Sequence, residues 1–418
     1  MNVRHILHKS LLLMAGAMTL SGCDMMKEDL DDCPSGLYVN FVYDYNIQRA
    51  DMFKDHVGSV TLYVYDESDR LVASKTMGGG LISTYGSYIH FSEDELAPGH
   101  TYRLMAVAMQ KDYAQALATA GAKYRQSGNS IGDRWQQFFI DLDHTATKAP
   151  SDYYSVSNAA PLDTLWHTLT TVVSAREGYP MQLAPASLAP ARCEYSWQRD
   201  GSVSTNGRET VDVVRGEPTY ATVSLIRDTK HLNVTLRAVN DDPADNRVLA
   251  DDYIVEVIDN NSQVDCRNDL SNAADTLVYR PYRQWETSFV GTDGVSSETS
   301  AHYDLMFNRL VYKNADVSED RYGFDDPAEV ARTKNAVLLI RKADTGDIVF
   351  GINLPYILSS GRTYQERYYH YQEYLDREYD YRLQFIIKGG RVDGIELFIG
   401  MDVHVIPWAM RRQHEQLD

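Results

Sequence analysis

Short runs in which apolar and polar residues alternate make up much of this chain, and turn-forming residues separate them. Between residues 37 and 45, Leu37, Val39 and Phe41 share one face, while Asn40 and Asp44 fall on the other. A period of two is the spacing of a half-buried β-strand, because successive side chains point to opposite faces of a sheet. Comparable runs occupy residues 60–65, 71–74, 88–91, 101–109, 211–214, 219–226, 231–239, 253–258, 335–342, 348–354, 381–388 and 395–405. The pattern therefore predicts an all-β protein.

Helices are expected to be few. The Ala-rich stretch Lys111 to Tyr124 predicts a short helix, and the Tyr-rich stretch Tyr364 to Tyr379 predicts a helical turn before a strand. Short strands joined by turns favour antiparallel sandwiches over a parallel α/β sheet. The 29 Tyr against 11 Phe fit this class, since tyrosine suits a pleated, half-buried surface.

The length of 418 residues allows two or three domains. The alternation stops at Asp228-Thr229-Lys230 and begins again at His231, which places a domain boundary there. We therefore predict an N-terminal β-sandwich domain over residues 37–228 and a C-terminal one over 229–418. Within the first, a weakly periodic stretch rich in Ser, Thr, Pro and Ala predicts an insertion at about 177–207.

The N-terminus has the form of a secretory signal. Arg4 and Lys9 precede ten apolar residues, Leu11 to Leu20, about half the length of a membrane-spanning helix. The stretch ends in Leu20-Ser21-Gly22-Cys23, which resembles the lipobox of bacterial lipoproteins. That resemblance implies that residues 1–22 are removed and that Cys23 carries a diacylglyceryl group and an acyl chain such as palmitate. The alternative is an ordinary secretory signal that happens to hold a cysteine.

Residues 23–36 are expected to form a lipidated acidic tether. Lys27-Glu28-Asp29 resembles the signal that exports Bacteroidetes lipoproteins to the outer face of the outer membrane. A plain solvated tether is the alternative. No later stretch reaches the ~18 apolar residues of a membrane helix. We therefore expect a protein that is lipid-anchored in the outer membrane, faces the cell surface and does not span the bilayer.

The charge and the motifs favour a protein without catalytic activity. Lys plus Arg number 40 and Asp plus Glu 59, so the net charge of −19 excludes a nucleic-acid partner. The common hydrolase, nucleotide and zinc motifs are absent, and His404 fits a half-buried strand histidine better than a metal ligand. Asp241-Asp242 and Asp251-Asp252 fit solvated turns better than a Ca²⁺ site. No small-molecule substrate is expected, and no cofactor apart from the lipid on Cys23; a hydrolase with a dispersed site is the disfavoured alternative.

Three cysteines remain after lipidation, namely Cys33, Cys193 and Cys266, so one intramolecular disulfide is the most they can form. Cys193 falls in the predicted N-terminal domain and Cys33 lies directly before it, so these two are the best pair in an oxidising periplasm. Buried single thiols are the alternative.

Several strings resemble, in order, the FimB-type fimbrillin-associated anchor lipoprotein family of Bacteroidales. They are Cys33 to Val39 with Phe41 and Tyr43-Asp44-Tyr45, Leu62 to Asp66, Leu96 to Gly99 with Tyr102, Asp228 to His231, and Gln372 to Glu378. The resemblance runs from the lipobox almost to the C-terminus. Two departures from it are the insertion Glu177 to Gly207, which is longer than usual, and the variant pattern around Pro407-Trp408.

The resemblance implies two tandem transthyretin-like antiparallel β-sandwich domains in an all-β chain with minor α content. It also implies a place in the outer membrane at the base of a type V fimbria, where such proteins anchor the filament and limit its length. The expected partners are fimbrial stalk subunits, which join by strand exchange at a sheet edge. The alternatives are a fimbrial tip or accessory subunit, and a surface glycan-binding lipoprotein that uses exposed tyrosines.

Overall fold

The structure is a computed structural model. It describes residues 34–83, 88–126, 133–148, 153–173, 195–197, 203–238, 247–271, 274–290, 297–313, 323–324, 334–364, 369–399 and 402–405.

Strands dominate the described residues. In chain order they are β1 Gly36–Val42, β2 Ser59–Tyr65, β3 Leu71–Gly78, β4 Ile89–Phe91, β5 His100–Met109, β6 Tyr124–Gln126, β7 Phe139–Leu142, β8 Tyr154–Ser155, β9 Leu165–Val173, β10 Tyr195–Trp197, β11 Val203–Thr205, β12 Val211–Val213, β13 Pro218–Arg227, β14 Lys230–Ala238, β15 Tyr253–Asp259, β16 Gln263–Asp265, β17 Leu277–Tyr279, β18 Arg283–Val290, β19 Ser297–Phe307, β20 Gly323–Phe324, β21 Val337–Lys342, β22 Ile348–Asn353, β23 Asp380–Lys388, β24 Arg391–Ile399 and β25 Asp402–Val405.

The helices are short. The α-helices are α1 Phe53–His56, α2 Gly80–Ser83, α3 Tyr113–Ala118, α4 Leu354–Ser359 and α5 Tyr371–Arg377, and the 3-10 helices are η1 Trp135–Gln137, η2 Ala250–Asp252 and η3 Ser360–Tyr364. The predicted all-β class with minor α content is confirmed. Among the described residues, no helix has the length and hydrophobicity needed to cross a membrane.

Three large sheets organise the described chain. One has the order β3-β2-β5-β9-β13-β1-β4, with β12 added beside β5, and the others are β18-β19-β14-β23-β24-β25 and β20-β22-β21-β15-β17-β8. Two small sheets, β16-β7-β6 and β10-β11, complete the set. Most pairs are antiparallel as predicted, but β1 runs parallel to β13, β14 to β23, and β8 to β17.

The cores follow the alternation seen in the sequence. Leu37, Val39 and Phe41 enter a first core, which is enclosed by the inner face of the eight-stranded sheet. A second core lies between the two six-stranded sheets, where Leu232 of one sheet and Val257 of the other are fully buried. Tyrosines contribute buried side chains to both cores, as the fit of tyrosine to a sheet surface predicted. Exposures of 2% or less are found for Tyr43, Tyr65, Tyr279, Tyr303 and Tyr381.

Strand pairing joins the first half of the chain, residues 34–227, to the second half, residues 230–405. In the small sheet, β6 and β7 of the first half pair with β16 of the second, and β8 pairs with β17. The second core accordingly contains Tyr65 and Ile140 beside Val264. The division into domains 37–228 and 229–418 stays a prediction, and these strands cross it.

The helix predicted over Lys111 to Tyr124 is shorter than expected. Asp112 caps α3 by accepting a hydrogen bond from the amide of Gln115 at 2.8 Å, and α3 ends at Ala118. Gly121 then adopts a φ of +92°, in the region that favours glycine. Tyr124 belongs to β6, which pairs with β7, so tertiary pairing overrides local helix propensity here.

Candidate functional site at the junction of the two halves

The connection between the halves is short and fully buried. β13 ends at Arg227 and β14 begins at Lys230, which leaves Asp228 and Thr229 to join them. Asp228, Thr229 and Lys230 each have 0% exposure. We call this connection, the neighbouring helix α5 and the residues that contact them the junction.

Residues of the first half hold Thr229 in place. Its hydroxyl accepts a hydrogen bond from the amide of Leu165 at 3.0 Å and donates to the carbonyl oxygen of Asp163 at 3.2 Å. The hydroxyl of Tyr124 lies 3.0 Å away and shares a third hydrogen bond with it. Because a buried polar group is costly unless it is paired, these contacts fix the position of the connection.

Lys230 ties the start of the second half to the end of α5. Its ammonium group donates to the carbonyl oxygens of Asp376 and Glu378, both at 2.9 Å. A cation at a helix C-terminus satisfies carbonyls that have no partner within the helix. Burial lowers the pKa of Lys230, and the negative charges of Asp376 and Asp228 oppose that shift.

Arg309, which follows β19, forms a two-bond ion pair with Asp376 at the junction. Its guanidinium contacts the Asp376 carboxylate through two hydrogen bonds of 3.0 Å, and it also donates to the carbonyl oxygen of Asn268. The side chains of Arg309 and Asp376 are 11% and 4% exposed. The side-chain amide of Asn268 in turn donates to the carboxylate of Asp228 at 2.8 Å, and burial raises the pKa of Asp228. Connection, strand end and helix therefore form one network.

A second buried ion pair lies within α5, and its arginine contacts the first half. Arg377 donates to Glu373 at 2.9 Å, and its guanidinium lies 3.9 Å from the ring centroid of Tyr45. Nearby, Arg49 of the first half donates to the hydroxyl of Tyr369 at 3.1 Å. Cation–π contacts of this kind are stronger when desolvated.

Arg227 extends the contact between the halves. Its guanidinium lies 4.0 Å from the ring centroid of Tyr379, which follows α5. Turning the halves relative to each other would break these cation–π contacts and would separate the buried hydroxyl of Thr229 from its partners in the first half, at a cost of about 1–3 kcal/mol for each buried polar group left unpaired. The arrangement suits a rigid coupling of the halves rather than a chemical reaction.

The predicted site residues fall into two groups. Cys23, Lys27, Glu28, Asp29, Cys33 and Cys193 lie outside the described residues, so lipidation, export signal and disulfide stay predictions; Asp241-Asp242 and Pro407-Trp408 also lie outside them. Cys266 is described and is a buried free thiol. His404 lies in β25, opposite Leu397.

The two strings Asp228 to His231 and Gln372 to Glu378 come together at the junction through Lys230. Arg309, Asn268 and Tyr124 were missed, because nothing near them in the sequence marks them as partners of these strings. Asp251 and Asp252 lie exposed in η2, and among the residues that the structure describes no cluster of His, Cys, Asp and Glu is suited to a metal.

Comparison with known families decides the relationship. The family model of the fimbrillin-A associated anchor proteins Mfa1 and Mfa2 matches residues 30–183 and 205–414. The chain belongs to this family. This match confirms the resemblance found in the sequence. The family is one of fimbrial anchor proteins and is not known for enzymatic activity. The unmatched gap in this anchor-family chain falls within the insertion predicted at about 177–207.

Solved structures share the fold of this anchor-family chain. A candidate polysaccharide binding protein of Bacteroides thetaiotaomicron is 21% identical with a TM-score of 0.59, and the match covers 90% of this chain and 100% of that one. A candidate adhesin of the same organism is 19% identical with a TM-score of 0.60, covering 90% and 99%. A candidate adhesin of Bacteroides ovatus is 20% identical with a TM-score of 0.56, covering 90% and 97%. No curated protein matches the chain.

Proposed function

We propose that this protein is an outer-membrane lipoprotein that anchors a fimbria at its base and limits its length. The observation that carries the proposal is the anchor-family match across both halves of the chain. The anchor holds the membrane through the lipid on Cys23 and contacts the first stalk subunit by strand exchange. Lys27-Glu28-Asp29 directs it to the cell surface.

The buried junction gives physical support to this role. An anchor transmits force from the filament to the lipid, and a loose hinge between its halves would let the base bend. Here the halves share strand pairs and a hydrophobic core, and Arg227 and Arg377 make cation–π contacts between them. Strand exchange would join the anchor to the filament by a similar ladder of backbone hydrogen bonds, which makes that contact strong as well.

Deleting the gene should release filaments from the cell without stopping their growth. Stalk subunits polymerise through contacts with each other, so the base is dispensable for polymerisation and needed for attachment. We expect most filaments to move from cells to medium and the shed filaments to be longer. Electron microscopy, with a count of cell-bound against shed filaments in the deletion strain and wild type, measures both.

The same count separates the rival functions. A tip or accessory subunit predicts that filaments stay attached and that only a distal component is lost. A glycan-binding lipoprotein, the role suggested by the name of one structural neighbour, predicts unchanged filaments and lost polysaccharide binding. An unchanged ratio of bound to shed filaments would refute the anchor proposal.

Replacing Cys23 by Ala should remove the protein from outer-membrane fractions, because the lipid on Cys23 is the proposed attachment to the membrane. Acyl labelling and membrane fractionation of the wild type and Cys23→Ala measure this. The matched variant with Lys27, Glu28 and Asp29 replaced by Ala should stay acylated and membrane-bound but resist protease added to intact cells. Membrane retention of an unlabelled Cys23→Ala protein would contradict lipid anchoring. Equal digestion of the triple variant and the wild type on intact cells would show that Lys27, Glu28 and Asp29 form only a tether and no export signal.

A further inference from the structure

Two described strands of more than five residues lie at the edge of a sheet, β3 and β18. An edge strand carries backbone N–H and C=O groups without a partner strand, which makes it a template for a further strand. The other edge strands of the described chain have two to four residues and offer a much shorter ladder.

The edge of β3 is closed by the strand that faces it. The ammonium group of Lys75 in β3 donates to the carbonyl oxygen of His90 in β4 at 2.6 Å, and it lies 4.6 Å from the ring centroid of Phe91. At the other end, the amide of Leu71 donates to the carbonyl oxygen of Asp133 at 3.0 Å. β3 therefore has little room for an added strand.

Among the described residues, no strand pairs with the outer edge of β18, and strand geometry shows which of its residues face that edge. The backbone amide of His231 donates to the carbonyl oxygen of Tyr379, next to β23. The odd-numbered residues of β14 therefore direct their backbone N–H and C=O groups toward β23, and the even-numbered ones direct theirs toward β19. Even-numbered residues of β14 lie opposite odd-numbered residues of β19, so the even-numbered residues of β19 direct their backbone groups toward β18. Those residues lie opposite odd-numbered residues of β18, which leaves the even-numbered residues of β18 with backbone groups that point away from β19. These residues are Gln284, Glu286, Ser288 and Val290, and all four are exposed.

Side-chain contacts hold this edge in a fixed shape. On one face, Gln284 donates to Asp251 at 2.9 Å and Glu286 accepts from the amide of Ala250 at 2.8 Å. On the other face, Trp285 stacks on His302 with ring centroids 5.0 Å apart, and the Arg283 guanidinium lies 4.6 Å from the Trp285 ring. A strand that is already ordered costs less entropy when it pairs.

The sequence of β18 lacks the usual protection of an edge. Natural edge strands carry Lys, Pro, bulges or covering loops that prevent pairing. β18 reads RQWETSFV, pairs with β19 over eight residues without a register shift, and contains no Lys, Pro or Gly. Its two charged side chains, Arg283 and Glu286, are turned into the contacts described above.

The rim of this edge is acidic. Asp251, Asp252 and Glu286 are exposed on the side of η2, and all three lie close enough to act on the hydroxyl of Tyr303, whose pKa is raised mainly by burial and further by these carboxylates. A strand that pairs with β18 would place alternate side chains against this rim, and basic side chains there would gain favourable charge pairs.

We propose that the outer edge of β18 accepts an extended strand of the first fimbrial stalk subunit, one whose side chains on the η2 side are basic. The inference rests on the proposed anchoring function and names the surface that carries it. The contact is a backbone ladder to residues 284, 286 and 288, with Asp251, Asp252 and Glu286 selecting the strand by charge.

Proline at position 288 tests the edge. Ser288→Pro removes a backbone N–H that points to the open edge and leaves the bonds to β19 intact, whereas Ser288→Ala loses the same hydroxyl and keeps the N–H. With tagged full-length protein in fimbriated cells, we expect Ser288→Pro to reduce the copurifying stalk subunit about tenfold or more and Ser288→Ala to leave it unchanged. Equal recovery with both variants would overturn the proposal.

A second variant removes any dependence on the folding of β18. Asp252→Lys reverses a charge of the rim without touching the strand, and it should weaken copurification, with the loss greatest at low salt. Crosslinking from a residue of β18 in fimbriated cells identifies the partner directly, and we expect a crosslink to the stalk subunit. A crosslink from β18 of one copy to β18 of a second copy of this chain would overturn the assigned partner. If deletion sheds filaments but Ser288→Pro does not, the edge is wrong and the anchor stands; if deletion sheds none, the anchor itself fails.

Discussion

Replacing Arg309 by Leu should lower the free energy of unfolding by about 3–5 kcal/mol, because removing one partner of a buried ion pair leaves the other charge buried and unpaired. The Asp376 carboxylate, 4% exposed, loses two hydrogen bonds of 3.0 Å and keeps the one from Gln372. The carbonyl oxygen of Asn268 loses a donor as well. Urea unfolding followed by circular dichroism measures the loss.

An exposed ion pair supplies the control. Arg70 contacts Asp66 at 3.0 Å, but its side chain is 65% exposed, so Arg70→Leu should cost at most about 1 kcal/mol. The double variant Arg309→Leu with Asp376→Leu should regain part of the loss, because it removes the charge that the single variant leaves unpaired. Similar losses for Arg309→Leu and Arg70→Leu would show that the junction is not a main source of stability.

The alternation of side chains predicted the strands well, because burial of one face is a local property. Leu37, Val39 and Phe41 were placed on one face, and all three enter the first core. The runs predicted at residues 335–342 and 348–354 likewise contain β21 and β22, which pair as a hairpin around Asp344-Thr345-Gly346. Each of these features is set by residues close together in the sequence.

Pairings between distant strands could not be predicted in this way. β1 lies parallel to β13, with Gly36 opposite Pro218, and no residue near Gly36 specifies that partner. The domain boundary at Asp228 to Lys230 was predicted from a break in the alternation and stays a prediction. The strands β7 and β8 pair with strands on the other side of it, because their apolar faces help to complete the second core.

Only part of the junction could be predicted from the sequence. The strings around Lys230 and Asp376 were noticed through the family resemblance, but Arg309 lies 67 residues from Asp376 and follows an ordinary strand. Nothing local distinguishes it from a solvated arginine. Burial of a cation becomes evident only when the fold shows which carboxylate meets it.

Replacing Asp259 by Asn should stabilise the protein at neutral and alkaline pH and have little effect at pH 4. Asp259, the last residue of β15, is 5% exposed; one carboxylate oxygen accepts from the backbone amide of Asn260 at 2.8 Å and the other has no hydrogen-bond partner. Burial raises the pKa of Asp259 to about 7, although Lys313 and that amide oppose the shift. The folded state thus prefers the neutral carboxyl group, whose shape asparagine shares.

The sign of the pH effect follows from proton binding. Asp259 has a pKa of about 4 when unfolded, so between about pH 4 and pH 7 the folded state holds a proton that the unfolded state releases. Its contribution to stability is complete below pH 4 and falls as the pH rises through 7, by roughly 1.4 kcal/mol for each unit between the two values. The variant should therefore gain several kcal/mol over wild type at pH 8. Asp94→Asn, an exposed control, should change stability by at most about 0.5 kcal/mol at any pH. Urea midpoints at pH 4, 6 and 8 measure the difference, and a constant difference between wild type and Asp259→Asn would mean that this carboxyl group does not titrate in the range.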